Sequence, residues 1–257
     1  MQKLSLLFTK DGLQYQISKN KTVLEEHSYF AEEENPTATV SQKLDEILAK
    51  KNFSEIAVVS ALNHFTVMPE GFPEHELGYD LISFNAPVDR EHEELMLSVN
   101  KKQGVQFYYT FPRNHYQSIK KLNLPTKFNF SGEKFLQSLN LRNQKEIHIN
   151  LYHHQCEFFA FDRKKMVLYN NLDVNSEVDF LYFIMFTLSK IGFGINETQF
   201  LVYGETTENE TFISELRKFV KNATKKVNMI TEEIEKNFCS QKFRSKTDHR
   251  FCQRSSF

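Results

Sequence analysis

Between Leu4 and Phe30, apolar and polar residues alternate in steps of two, and turn residues break the alternation twice. Leu4–Thr9 is an apolar run, and Lys10-Asp11-Gly12 supplies a hairpin turn of the Asp-Gly type. Leu13, Tyr15 and Ile17 then share one face against Gln14, Gln16 and Ser18, and a second turn, Lys19-Asn20-Lys21, leads into Thr22–Phe30. From Thr39 the period changes to that of a helix, with Val40, Leu44, Ile47 and Leu48 on one side up to Lys51. Glu55–Ser60 is continuously apolar, which marks a strand buried on both faces.

The same rhythm returns between Lys145 and Tyr203. Glu146–Leu151, Gln155–Phe161 and Lys165–Asn171 read as three strands joined by Tyr152-His153-His154 and Asp162–Lys164. A helix is expected over Ser176–Lys190, with Ser176 as cap and Glu177 and Asp179 suited to its dipole, followed by a buried strand at Gln199–Tyr203. The middle of that helix, FLYFIMF, is apolar nearly all round and should be sandwiched between layers. Glu210–Lys221 reads as an amphipathic helix and Lys226–Ile230 as a last strand. Between the repeats, strands are expected at His64–Met68, Glu93–Val99, Val105–Phe111 and Lys127–Phe130, and helices at Pro73–Leu81, Arg113–Lys121 and Glu133–Leu139. Asn140–Gln144 is polar, without period, and serves as the linker.

Each copy of three antiparallel strands, helical crossover and buried strand makes a mixed sheet. The pattern predicts two domains, 1–140 and 145–235, with an inserted strand and helix segment around 64–112 in the first. Residues 239–257 read as a tail: beyond Ser240 they hold Lys242, Arg244, Lys246, His249, Arg250 and Arg254 against one acid, Asp248, and the expectation is a frayed end, with a basic arm that touches an acidic partner as the alternative.

Composition narrows the classes of function. A net charge of −1 gives no bulk attraction to nucleic acid or to membranes, and only the tail is basic. The 25 Phe and 10 Tyr, with no Trp, indicate an aromatic-filled core. There are 8 Gly where average usage near ~7% gives roughly 18, and phosphate-cradling loops consume Gly. Cys156, Cys239 and Cys252 contain no CxxC and read as free thiols of a reducing compartment, with Cys156 an inert core thiol. The N-terminus goes straight into alternation without a signal-peptide pattern, and the apolar run Phe180–Leu188 is far short of the ~20 residues that span a bilayer, so the expectation is a cytoplasmic chain. Adjacent His153 and His154 in a turn point apart and make a poor metal site, and the acid-rich Glu74-His75-Glu76 and Asp89–Glu94 read as surface charge.

The topology resembles the actin-like ATPase superfamily, and within it the pilus-assembly and cell-division actin relatives. More closely, LSLLFTKDGLQYQI, FTVMPEGF with the following PEHELGYDLISFNAPVD, FYYTFPRNHY and IHINLYHHQCEFFAF look like an uncharacterised bacteroidete family with that fold. The resemblance implies a mixed α/β fold: two ribonuclease H-like domains in the actin-like ATPase arrangement, each with a five-stranded mixed sheet and helices. It also implies where a nucleotide would sit. The first hairpin of each half holds phosphate in hydrolysing relatives, which puts Thr9, Lys10, Asp11 and Gly12 on one side and Asn150, Tyr152 and His153 on the other, with Gly204 on the adenosine side.

At those positions the chain departs from the pattern. Asn150-Leu151-Tyr152 stands where Asp-x-Gly is expected, no acid precedes Asp11, and Gly204 is followed by Glu205. Neutral Asn150 is a poor Mg²⁺ anchor, and Tyr152 puts a ring where phosphate needs a residue without Cβ. The favoured reading is a degenerate, non-catalytic actin-like protein that binds another protein, without cofactor or metal. The alternative is an ATP-binding protein or phosphotransferase of the actin-like and sugar-kinase superfamily, with ATP and Mg²⁺ held by unconventional loops.

Overall fold

The computed structural model describes residues 2–20, 22–30, 36–50, 53–72, 77–152, 154–204, 209–220 and 223–225. The first alternating stretch folds as an antiparallel meander, β1 (Gln2–Thr9), β2 (Gly12–Lys19) and β3 (Thr22–Phe30). Helix α1 (Pro36–Leu48) crosses over to β4 (Phe53–Ser60), which lies parallel to β1. A later strand, β8 (Thr126–Phe130), pairs parallel with β4 and completes a sheet of order β3-β2-β1-β4-β8.

The second stretch repeats this layout. β9 (Lys145–Leu151), β10 (Gln155–Asp162) and β11 (Lys165–Asp173) form the meander, and α5 (Glu177–Ile191) leads to β12 (Gln199–Gly204), parallel to β9. After α6 (Asn209–Phe219) the edge strand β13 (Ala223–Lys225) gives the order β11-β10-β9-β12-β13, strand for strand that of the first sheet.

Between β4 and β8 the chain builds a third, antiparallel sheet. β5 (Phe65–Pro69), β6 (Glu93–Asn100) and β7 (Val105–Pro112) pair in the order β5-β7-β6, with α2 (Gly78–Ser83) against it and α3 (Arg113–Lys120) after it. Helix α4 (Ser131–Ser138) follows β8 and leads into the second meander.

Strand alternation divides the core into layers. On β1, Leu4, Leu6 and Phe8 join Leu44, Ile47 and Leu48 of α1 and Phe111 and Ile119. Behind the second sheet, Ile147, Ile149 and Leu151 meet Phe180, Ile184 and Leu188 of α5 and Leu216 of α6. Between the third sheet, α4 and the second sheet lies an aromatic layer: Phe65, Phe107 and Phe130 face Phe159, Phe161 and Tyr169. Its rings are interlocked, with Phe159 and Tyr169 at 4.4 Å and Phe107 edge-on to Tyr169 at 5.4 Å. Nearly all the largest fully buried side chains are Phe or Tyr, so much of the aromatic composition is spent inside. At about 1.5–3 kcal/mol for each buried side chain of this size, this layer is a major source of cohesion.

Several expectations need correction. Helix α1 starts at Pro36 and stops at Leu48, before Lys51. Pro in a first helical position is preorganised by its fixed φ, which explains the earlier start. Of the helix expected over Pro73–Leu81, α2 is described from Gly78, and residues 73–76 lie outside the described residues. Among the described residues the last strand is Ala223–Lys225, and the expected Lys226–Ile230 lies outside the described residues, as does the tail 239–257. Helix α5 is not sandwiched by the described residues. Its sheet-facing side is buried, but Val178, Tyr182 and Phe186 are 74%, 60% and 49% exposed. One sheet and one neighbouring helix cover only part of a cylinder, whatever the composition of the rest.

Candidate functional site

The turns at the ends of β1 and β9 meet each other directly. The backbone N–H of Lys10 donates to Gln155 Oε1 at 3.2 Å, and Lys10 Nζ forms an ion pair with Asp173 Oδ2 at 2.6 Å. Asp11 Oδ2 accepts from the backbone N–H of His154 at 3.2 Å and lies 3.4 Å from His154 Nδ1. The loop after β4 joins in. Gln155 Nε2 donates to the carbonyl of Ala61 and to Asn63 Oδ1, each at 3.1 Å. Asn63 Nδ2 donates to Asp173 Oδ1 at 2.8 Å, and Asn171 Nδ2 to the Ala61 carbonyl at 3.3 Å.

Tyr152 lies behind this contact. Its backbone N–H bonds to the Gln155 carbonyl at 2.9 Å and closes the β9–β10 turn. Its ring packs on Leu7 and Val59 of the first sheet, whose neighbours Leu6 and Val58 point to the opposite layer, and on Ala61 just after β4. Its hydroxyl donates to Glu157 Oε2 at 3.1 Å.

Glu157 is the centre of the buried chemistry. It is 0% exposed on β10, a strand otherwise apolar from Phe158 to Phe161. Four donors converge on its carboxyl: Ser131 Oγ at 2.6 Å, Tyr169 hydroxyl at 2.8 Å, and Asn150 Nδ2 and Tyr152 hydroxyl at 3.1 Å. Loss of water around the group pushes its pKa up, and the four donors pull it down without overcoming burial. The same burial, with the negative Glu157 beside them, drives the Tyr152 and Tyr169 hydroxyls well above the ordinary tyrosine range. Gly132 makes room for this arrangement, since a Cβ there would lie 2.5 Å from the Tyr169 ring and hydroxyl.

A second buried chain lies further along β9. His148 is 3.2 Å from Glu146 Oε2 through Nε2 and 3.0 Å from the Tyr203 hydroxyl through Nδ1. Burial would raise Glu146, but His148, the Arg142 backbone N–H and Gln144 together hold it below the ordinary value. All three residues are buried, so this chain offers no surface to a substrate.

The two glycines singled out in the sequence serve the sheets. Gly12 faces β3, and a Cβ on it would come 1.9 Å from the Tyr29 carbonyl oxygen. Gly204, with φ +104°, ends β12 against β9, and a Cβ would lie 2.3 Å from the Leu151 carbonyl oxygen. Thr9 Oγ1 turns back to the Gly12 carbonyl at 3.4 Å. Of the residues expected at the site, Lys10 and Asp11 are brought against the second hairpin, and Asn150 and Tyr152 against Glu157. His153 lies outside the described residues. Cys156 is a buried free thiol whose pKa burial pushes up, as expected of an inert core position. Among the described residues, no three His, Cys, Asp or Glu side chains group as metal ligands, and no helix is long and apolar enough to cross a membrane. Sequence reasoning missed Glu157, Gln155, Asp173, Ser131 and Tyr169. Glu157 did leave a signal: a lone acid inside QCEFFAF must find donors if the strand is buried.

The doubled five-stranded layout, with an antiparallel sheet inserted in the first half, is the fold of the actin-like ATPases. A crystal structure from Bacteroides thetaiotaomicron VPI-5482, of a protein with actin-like ATPase fold and unknown function, superposes with a TM-score of 0.77 at 17% identity, covering 91% of this chain and 95% of that one. The cytoplasmic domain of EpsL, an inner-membrane component of the Vibrio cholerae type II secretion system, matches with TM-score 0.52 at 9% identity over 95% and 100% of the two chains. The PilM–PilN type IV pilus biogenesis complex contains a chain matching with TM-score 0.54 at 11% identity over 88% of each. A comparison with curated proteins finds no match. Residues 1–223 match the model of the family "Protein of unknown function (DUF3822)", and the chain belongs to that family.

Proposed function

We propose that this chain is a non-catalytic protein of actin-like fold that works by binding another protein. The observation that carries this reading is the direct hydrogen bonding between the two hairpin turns, where Lys10 and Asp11 meet Gln155, His154 and Asp173. A hydrolysing cleft needs a gap there, lined by free backbone N–H groups and an acid for the metal. Here the Lys10 charge is matched by Asp173, and Asn150 turns its amide to Glu157. The Tyr152 ring, packed on Leu7, Val59 and Ala61, stands where the actin-like pattern has a residue without Cβ.

The residues at this site do not fit ATP with Mg²⁺. The glycines give no support to a nucleotide either, because close strand approach accounts for Gly12 and Gly204. The partner reading draws on the likeness to the PilM–PilN complex and to EpsL, both described as parts of larger protein assemblies. A cytoplasmic location agrees with the buried reduced thiol of Cys156 and with the cytoplasmic origin of the EpsL domain.

Thermal unfolding with and without millimolar Mg·ATP tests the reading. We expect an unchanged Tm. A ligand present at a hundred times its Kd would add about 2.7 kcal/mol, which raises Tm by roughly 5 °C or more for a chain of this size. A Mg²⁺-dependent rise of that order, lost in Asp11→Ala and Asn150→Ala, would overturn it in favour of the nucleotide-binding alternative.

A further inference from the structure

Helix α5 carries an apolar stripe that no described residue covers. Phe180, Ile184 and Leu188 turn toward the second sheet. Val178, Tyr182 and Phe186 follow the same four-residue spacing two positions out of phase, about 200° around the helix, and face outward. The exposed rings are ordered as one surface: Tyr182 stacks on Phe186 at 5.8 Å and 19°, and meets Phe183 edge-on at 5.6 Å. A contiguous aromatic stripe of this kind marks an interaction site, where isolated exposed apolar residues would not.

We propose that this stripe pairs with the same stripe on a second copy of the chain, α5 against α5 in antiparallel orientation. Charge layout identifies the partner. The acids Glu177 and Asp179 sit at the start of α5 and Lys190 at its end. An antiparallel copy centred between Tyr182 and Phe186 places Tyr182 over the partner copy's Phe186 and lays each Lys190 beside the other copy's Asp179, the acid on the same flank of the stripe. Parallel pairing would set like charge on like. Among the described residues, none of these three makes an ion pair within the chain. Lys190 Nζ instead lies 5.1 Å over its own Phe186 ring, so its stem extends the stripe. Opposed helix dipoles favour the same orientation. A two-fold interface requires one patch to complement itself, and α5 does so in shape and in charge. The face lies on the opposite side of the second sheet from the hairpin contacts, so the pairing holds or fails independently of the cleft reading.

Sedimentation equilibrium of the full chain across a micromolar concentration series reads the outcome. The expected result is a species of twice the 30.3 kDa chain mass. Tyr182→Glu combined with Phe186→Glu should weaken the dimer at least about 30-fold while leaving the circular dichroism spectrum of the folded chain in place, because both side chains are exposed. Lys190→Glu or Asp179→Lys alone should each weaken it roughly two- to fivefold, and the two together should recover most of the loss. A chain that stays monomeric throughout the series overturns the proposal, whether residues 226–257 or a different protein then covers α5. So does a dimer indifferent to the Tyr182 and Phe186 changes.

Discussion

Glu157 shows how much a single buried polar residue demands of its surroundings. It satisfies, and is satisfied by, Ser131, Asn150, Tyr152 and Tyr169 at 2.6–3.1 Å. Glu157→Leu would strand all four donors, each worth about 1–3 kcal/mol when left unpaired in the interior. Losing the costly burial of the carboxyl offsets part of that, so urea unfolding should show a loss of roughly 3–6 kcal/mol, while Glu157→Gln, which keeps one acceptor oxygen, should lose clearly less. Near-equal small losses in both would mean the network is slack.

His115 is the other residue with a large consequence. It stacks on Phe8 at 5.4 Å and bonds Ser41 Oγ at 2.9 Å, and burial lowers its pKa from 6.5 to about 4. Between those values the unfolded chain binds the proton and the native protein does not, so stability rises with pH. The contribution is complete above pH 6.5 and is lost as pH falls toward 4, about 3 kcal/mol in all. Urea midpoints at pH 7 and pH 5 should therefore differ more in the native sequence than in His115→Gln.

At the scale of elements, periodicity was an accurate guide to strands and a weaker one to their surroundings. Both meanders were legible because an alternation of two positions admits only one register when one face is buried. Element ends were less legible. Pro36 opens α1 earlier than the apolar period suggests, because proline favours a first helical position through its fixed φ, which leaves no mark in the apolar period. Gly204 reads in the sequence as the relic of a nucleotide loop, yet its position is demanded by the Leu151 carbonyl. Gly204→Ala should cost about 2 kcal/mol or more, through strain at φ +104° and a Cβ 2.3 Å from that oxygen. A thermal melt shifted by less than the scatter between replicate scans would refute this.

For the whole molecule, the decisive contacts join residues far apart in the chain. Lys10 and Asp173 are separated by 163 positions, and Lys10 and Gln155 by 145. Departures from the hydrolysing pattern at Asn150 and Tyr152 could be seen in advance, but not that the Tyr152 ring would lie on Leu7, Val59 and Ala61. The outward face of α5 was hidden for the opposite reason: its composition calls for burial on every side, and only the arrangement of neighbours reveals which side the described residues leave uncovered.

The sequence alone determined the doubled meander, the strand-helix-strand order and the aromatic interior, because these depend on local period and composition. Tertiary structure decided three things: that the two hairpin turns touch, that Glu157 finds four donors, and that Val178, Tyr182 and Phe186 face outward. Each depends on how separate elements are placed against one another, and placement is set by packing between positions that carry no mark of one another in the chain.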